Sequence, residues 1–275
     1  MMPKVEANGI SIYHEKRGSG EPLILIPYLT ADYACYEYQV REYEKHFTCY
    51  LFDLRGTGQS SNPDSDISIE LYADDVAAFM DAVEIPKAHI SGLSLGAAVG
   101  MWLAAKHPDK VQSLSLHSAW AKSDGYLKTV LQGWQSSAKG LNSVTEMAIT
   151  NIFPYCLTPE LYANKPIFVE GLGSFLRTRP KMSVSYFMKQ ANAVMAHDAE
   201  AQLGKITAPT LITYGRRDQL TSLRFADALK NGIRNSELLV FEDCAHAPIY
   251  EKIDEFNTKT LEFLKRHSQT MSASV

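Results

Sequence analysis

Apolar residues along this chain fall into short runs bounded by Gly, Pro and Asp, and the runs alternate with stretches whose apolar positions recur every three or four residues. Alternation over residues 9–15 predicts a first strand. The unbroken run Leu23-Ile24-Leu25-Ile26 predicts a central strand buried on both faces, and residues 47–52 predict another that ends at Asp53. Further strands are expected at residues 85–91, 111–117, 210–214 (after Pro209) and 237–241. Helical spacing marks residues 69–83 and 97–107, and Pro108 stops the second of these. Strand and helix in alternation, with strands that are apolar throughout, imply a mostly parallel sheet covered by helices on both faces.

Residues 121–202 break that rhythm. No strand pattern occurs there, whereas residues 126–138, 142–153 and 184–196 have helical spacing. The segment carries Trp134, Phe153 and Phe187, among other large apolar side chains, more bulk than a solvated linker needs. The expected organisation is a core of residues 1–120 and 203–267, a helical cap of residues 121–202 over a pocket, and a disordered tail at 268–275. The plainer alternative is that the aromatics only pack the insertion against the core.

A Gly-x-Ser-x-Gly pattern, Gly92-Leu93-Ser94-Leu95-Gly96, joins the strand at 85–91 to the small-residue helix at 97–107. A serine at the tip of a strand needs an unusual backbone conformation and close neighbours two residues to either side, which glycines permit. The pentapeptide is weak evidence by itself; the strand before it and the helix after it make it a nucleophile elbow. A serine hydroxyl attacks poorly at neutral pH unless a histidine takes its proton and an acid orients that histidine. Asp218, directly after the strand at 210–214, and His246, after the last strand, supply both in the order Ser, Asp, His, at carboxyl ends of strands. Asp218 has a plainer reading as the cap of a helix at 222–231, and Asp53 reads as a turn-former. The remaining histidines read as surface or packed residues without ligand spacing, so no metal and no cofactor are expected.

Hydrophobic residues make up 45% of the 275, ample for a buried core. A net charge of −4 and a pI near 6.1 argue against nucleic acid or an anionic membrane as partner. A small neutral or mildly polar substrate fits better, and a homodimer remains open. Lacking the apolar core of a signal peptide or a bilayer-spanning run, the chain is expected to be cytoplasmic, with Cys35, Cys49, Cys156 and Cys244 as reduced thiols.

Together with the elbow, the segments Phe52-Asp53-Leu54-Arg55-Gly56-Thr57-Gly58-Gln59-Ser60 and Ala208-Pro209-Thr210-Leu211 with Gly215-Arg216-Arg217-Asp218 resemble the α/β-hydrolase superfamily across essentially the whole chain. The stretch 190–198, with Ala196-His197-Asp198, is similar to the cap of enol-lactonase and small carboxylesterase members. The resemblance implies an α/β-hydrolase fold and a serine hydrolase acting on an ester or lactone through an acyl-enzyme. The open alternatives are a carbon–carbon bond hydrolase, a ligand receptor keeping a slow triad, and a cofactor-independent oxygenase. Relatives carry His-Gly after their third strand, where this chain has Pro27-Tyr28, and Pro27 has no N–H to give. The oxyanion donors are therefore expected to be the backbone N–H groups of Leu29 and Leu95. Tyr28 is expected at the pocket mouth as a third donor or a gate, or simply packed under the cap. Trp120, Trp134, Phe153 and Phe187 complete the expected pocket.

Overall fold

Consecutive residues of the central strand feed two different cores, which is why its sequence is apolar throughout. In a computed structural model that describes residues 4–268, Leu23 and Leu25 of β3 (Glu21–Ile26) pack with Tyr36, Tyr43, Phe256 and Phe263, while Ile24 and Ile26 pack with Phe79, Met101 and Leu103. Eight strands form one sheet among the described residues, in the order β1-β2-β4-β3-β5-β6-β7-β8. They are β1 (Lys4–Ala7), β2 (Ile10–Arg17), β3, β4 (Phe47–Phe52), β5 (Ala88–Leu93), β6 (Val111–His117), β7 (Thr210–Gly215) and β8 (Ser236–Phe241). β1 and β2 run antiparallel at one edge, and from β4 onward every pairing is parallel.

In chain order the helices are α1 (Glu37–Tyr43), α2 (Ile69–Ala82), α3 (Leu95–Lys106), α4 (Gly125–Leu141), α5 (Val144–Met147), α6 (Phe153–Cys156), α7 (Pro159–Asn164), α8 (Pro166–Thr178), α9 (Val184–Ala196), α10 (Ala226–Gly232), α11 (Pro248–Glu251) and α12 (Ile253–Arg266). α1 and α12 cover the face shared with Leu23 and Leu25; α2 and α3 cover the other. Polar rungs tie the sheet's centre together. His117 on β6 lies 2.9 Å from Thr213 Oγ1 on β7 and 3.1 Å from Ser91 Oγ on β5, and burial pushes its imidazole pKa down to about 3.

Several elements depart from the sequence expectation. β5 starts at Ala88 and runs to Leu93, delivering the chain straight into Ser94, and α3 begins at Leu95 instead of residue 97. The helix expected at 142–153 is interrupted: Asn142 ends α4 in a left-handed conformation (φ 46°), Ser143 caps α5, and a wider π turn at Ala148–Ile152 precedes α6, where Pro154 has no N–H to offer a regular ladder. The helix expected at 222–231 opens as a tight 3₁₀ turn, Leu223–Phe225, before α10. β1, α1, α7, α8 and α12 have no counterpart in the sequence reading. The expected tail falls outside the described residues except for Ser268, which is buried.

The helical insertion leaves and rejoins the core through a narrow neck. Ala199 N donates to Ala121 O at 2.7 Å, Ser123 N donates to His197 O at 3.0 Å, and Lys122 and Asp198 bridge as a short antiparallel pair and as an ion pair. His197 is buried there between Trp102 Nε1, which donates to it, and the Trp120 carbonyl, which accepts from it. The Ala196-His197-Asp198 stretch thus fastens the insertion's exit.

Candidate active site

The turn after β5 is built by exclusion of side chains. Ser94 has φ 55° and ψ −117°, a conformation rare for a residue with a Cβ. A Cβ on Gly92 would stand 2.2 Å from the Gly96 carbonyl oxygen, and one on Gly96 would stand 2.2 Å from the Ile26 carbonyl oxygen. The glycines therefore let the first turn of α3 press against the end of β3. Ser94 N donates to His117 O at 2.9 Å, fixing the elbow to β6. Tyr36 pins the same junction from the other face, donating to Ile26 O at 3.0 Å and accepting from Leu93 N at 2.9 Å.

Asp218 and His246 meet as the sequence order implies. Asp218 Oδ2 lies 2.9 Å from His246 Nδ1, both side chains being buried, and Asp218 Oδ1 accepts from Leu220 N at 2.7 Å and Thr221 N at 3.0 Å. Thr221 has a role that sequence reasoning missed. Its hydroxyl donates to Ser118 O at 2.8 Å, so its oxygen faces His246 Nδ1, 3.1 Å away, as an acceptor. Two acceptors around Nδ1 place the neutral ring's proton there and leave Nε2 unprotonated, the tautomer a general base needs. Ser118, itself at φ 48°, donates from Oγ to His246 O at 2.8 Å and holds the histidine loop. No pattern of residue types announces Ser118 or Thr221; their signal is only position, after β6 and three residues past the acid.

Asp53 does other work. Its Oδ1 accepts from Tyr33 N at 2.8 Å and its Oδ2 from Gln59 N at 2.7 Å, bracing the loops after β3 and β4, and burial raises its pKa to about 6.

Ser94 and His246 line one cavity of about 110 Å³, with no hydrogen bond between them among the described residues. Tyr28, Leu29, Trp134 and Phe153 line it as expected, and Trp120 lines a smaller adjoining cavity of about 20 Å³ that also touches Ser94, Leu95 and Leu29. Phe187 is a correction: it is fully buried in the large core cluster that also holds residues of α3 and α4, and it lines neither cavity. Tyr28 is corrected in part. Tyr250 donates its hydroxyl to Cys35 O at 3.0 Å, so Tyr28, 2.7 Å from the Tyr250 oxygen, donates to it and has no proton left for a third oxyanion bond. Its ring remains a wall.

The sequence reading missed the only formally charged pair among the described lining residues. Arg179 Nε donates to Asp32 Oδ2 at 2.8 Å, and the guanidinium lies over Tyr33 and Phe175, 5.0 and 5.5 Å from their ring centres. Each charge answers the other within the wall, and the rest of the lining is largely apolar.

The N–H of Leu95 sits at the N-terminus of α3, where no intrahelical acceptor exists, beside Ser94. In the loop after β3, Ala31 N donates to Tyr28 O and Thr30 N to Gln190 Oε1, which leaves the amides of Tyr28, Leu29 and Asp32, all residues of the cavity lining, without an acceptor among the described residues.

A serine on a strained strand–helix turn, with an acid and a base on loops after β7 and β8 of one doubly covered sheet, defines an enzyme of the α/β-hydrolase class. The family model described as "alpha/beta hydrolase fold" matches residues 21–253, and the chain belongs to that family. It is 28% identical over 262 residues to the AB hydrolase superfamily protein YisY of Bacillus subtilis, with 92% of this chain and 95% of the relative covered. It is 27% identical over 249 residues to 3-oxoadipate enol-lactonase 2 of Acinetobacter baylyi, covering 89% of this chain and 88% of that one. Among solved structures, the enol-lactonase from Burkholderia xenovorans LB400 superposes with a TM-score of 0.86 at 23% identity, covering 95% of this chain and 99% of that one. No helix among the described residues is long and apolar enough to cross a membrane.

Proposed function

We propose that the chain is a serine hydrolase that cleaves a small, uncharged ester or lactone through an acyl-enzyme. The observation that carries this reading is the Asp218–His246 contact at 2.9 Å, opening with Ser94 onto one cavity. His246 Nε2 takes the proton of Ser94 Oγ as the oxygen attacks the carbonyl carbon, and Asp218 stabilises the imidazolium that forms. The N–H groups of Leu95 and Leu29 receive the developing oxyanion. Collapse expels the alcohol oxygen, protonated by His246; in a lactone that oxygen stays tethered to the acyl group. Water activated by the same histidine then frees Ser94. The enol-lactonase relative supports a lactone or ester bond as the target, and the internally neutralised Arg179–Asp32 pair supports an uncharged substrate over a highly charged one. The helices between residues 125 and 196 act, in this reading, as the cap that selects the acyl or alcohol part.

The test is a fluorophosphonate probe together with p-nitrophenyl esters of increasing chain length. Ser94 alone should carry the label, and Ser94→Ala should lower turnover by roughly 10⁴-fold while leaving the melting temperature in place. A label on another serine, or a stoichiometric burst without turnover, refutes the reading.

A further inference from the structure

One buried glutamine of the insertion reaches the oxyanion loop. Gln190, on α9, is fully excluded from solvent, and its Oε1 accepts the backbone N–H of Thr30 at 3.0 Å. Thr30 follows Leu29 and stands at φ 67°, a left-handed conformation that a β-branched residue adopts only when its surroundings enforce it. Gln190 is itself held. Tyr186, one turn earlier on α9, donates to Arg55 O at 2.6 Å, so Tyr72 on α2, 3.3 Å away, donates to the Tyr186 oxygen; the Tyr72 oxygen then accepts from Gln190 Nε2 at 3.3 Å. The chain of donors has one direction only. It fixes the orientation of the Gln190 amide, because an N–H on Thr30 demands an oxygen opposite it.

We infer that Gln190 is a positioning residue for the oxyanion hole, carried by the insertion and not by the core. This rests on the serine hydrolase reading given above. The physical reason lies in the loop's own sequence. With Pro27-Tyr28 leading out of β3, the backbone after the strand lacks a glycine to settle into a left-handed turn, and Thr30 takes that conformation instead. The hydrogen bond that Thr30 N donates to Gln190 holds the peptide plane adjacent to the Leu29 amide, so that amide stays aimed at the cavity. A Thr30 N–H without its acceptor would be a part-buried donor seeking another partner, and the loop would turn to find one. Seating of α9 against α2 and the loops after β3 and β4 and completion of the oxyanion hole are thus one event.

The experiment compares Gln190→Leu, Gln190→Glu and Tyr72→Phe with the wild-type enzyme, well below each variant's melting temperature. It measures kcat and KM on a short p-nitrophenyl ester and the affinity for a boronic acid that adds to the serine as a tetrahedral adduct. Gln190→Leu is expected to lower kcat by about 10- to 100-fold with KM within about twofold, and to weaken the boronic acid by the same factor as kcat/KM. Gln190→Glu keeps an acceptor for Thr30 N and should recover most of that loss. Tyr72→Phe, which leaves the acceptor but frees its far end, should show a smaller loss in the same direction and serves if Gln190→Leu does not fold. A lowered melting temperature with kcat and boronic acid affinity unchanged overturns the inference, as does a change in KM alone. If the wild-type enzyme itself neither turns over esters nor binds the boronic acid, the hydrolase reading fails, which is a different result from a normal wild type with insensitive variants.

Discussion

Gly96→Ala tests how tightly the elbow is pressed against the oxyanion loop. The added methyl would stand 2.2 Å from the Ile26 carbonyl oxygen and 2.9 Å from that of Pro27, both backbone atoms at the end of a central strand. Neither can swing aside as a side chain would. To reach even a tight contact the first turn of α3 must retreat by about 0.8 Å, which in a close-packed interior costs roughly 2 kcal/mol. For a domain of this size that corresponds to a fall in melting temperature of roughly 4–8 °C. The same retreat carries the Leu95 amide away from the Leu29 amide, and a misplacement approaching 1 Å in a site of this kind lowers rate by about 10²-fold. Calorimetry and p-nitrophenyl acetate turnover read the two effects separately. Wild-type kcat alongside a lowered melting temperature would show that the elbow and the β3 loop do not share the oxyanion, and wild-type values for both would refute the close approach itself.

Asp218→Asn is expected to lose about 10²- to 10⁴-fold in kcat through the wrong His246 tautomer, whereas Asp53→Asn should cost less, since Asp53 bonds only backbone amides; the reverse order would mean the acid is misassigned. Phe153→Ala should shift kcat/KM among acyl chain lengths, by about 1–3 kcal/mol for each substrate group it contacts, while Phe187→Ala should cost about 3–5 kcal/mol of stability with selectivity unchanged; equal selectivity profiles for both would place Phe153 in the core as well. Burial depresses His117 to about 3 and His197 to about 4, so at these two positions the unfolded chain binds more protons than the folded one below about pH 6.5, while Asp53, raised to about 6, offsets part of that difference between about pH 6 and 4. Stability is therefore expected to be fully present above that pH and to fall on acidification by up to about 1.4 kcal/mol per pH unit for each group, continuing until the folded-state values are reached; denaturant unfolding across pH 4–7 that shows a flat profile, or no change of slope in His117→Asn, would contradict it.

The candidate catalytic residues stood out in the sequence because their chemistry narrows the residue types and the strand ends narrow their places. Ser94 sits between glycines that only a crowded turn requires, and Asp218 and His246 each follow a recognisable strand. Thr221, Ser118 and Gln190 act through a single oxygen whose value depends on what lies opposite in space, and no spacing along the chain encodes that. Phe187 shows the limit from the other side: its residue type suits a pocket wall or a core equally, and only the rotation of α9 decides. Arg179 and Asp32, separated by 147 residues, pair across a distance that periodicity does not see. α12 is a different kind of miss, since Phe256, Phe263 and Leu264 repeat at helical spacing and cover the sheet face opposite α3. The edge strand β1 offered less, a short segment of mixed polarity.

The neck at Ala121, Lys122, Ser123 and His197, Asp198, Ala199 gives the insertion the ends of a cassette. Entry and exit are joined to each other by hydrogen bonds of 2.7 and 3.0 Å, so the parent sheet feels a closed junction whatever length of chain hangs beyond it. Exchange of everything between those bonds for a segment from a relative should leave the sheet foldable, because the span that must be matched is one strand pair wide. Catalytic competence is a stricter demand. On the inference drawn for Gln190, a transplanted segment that does not bring an oxygen to the Thr30 amide is expected to yield a well-folded but sluggish enzyme.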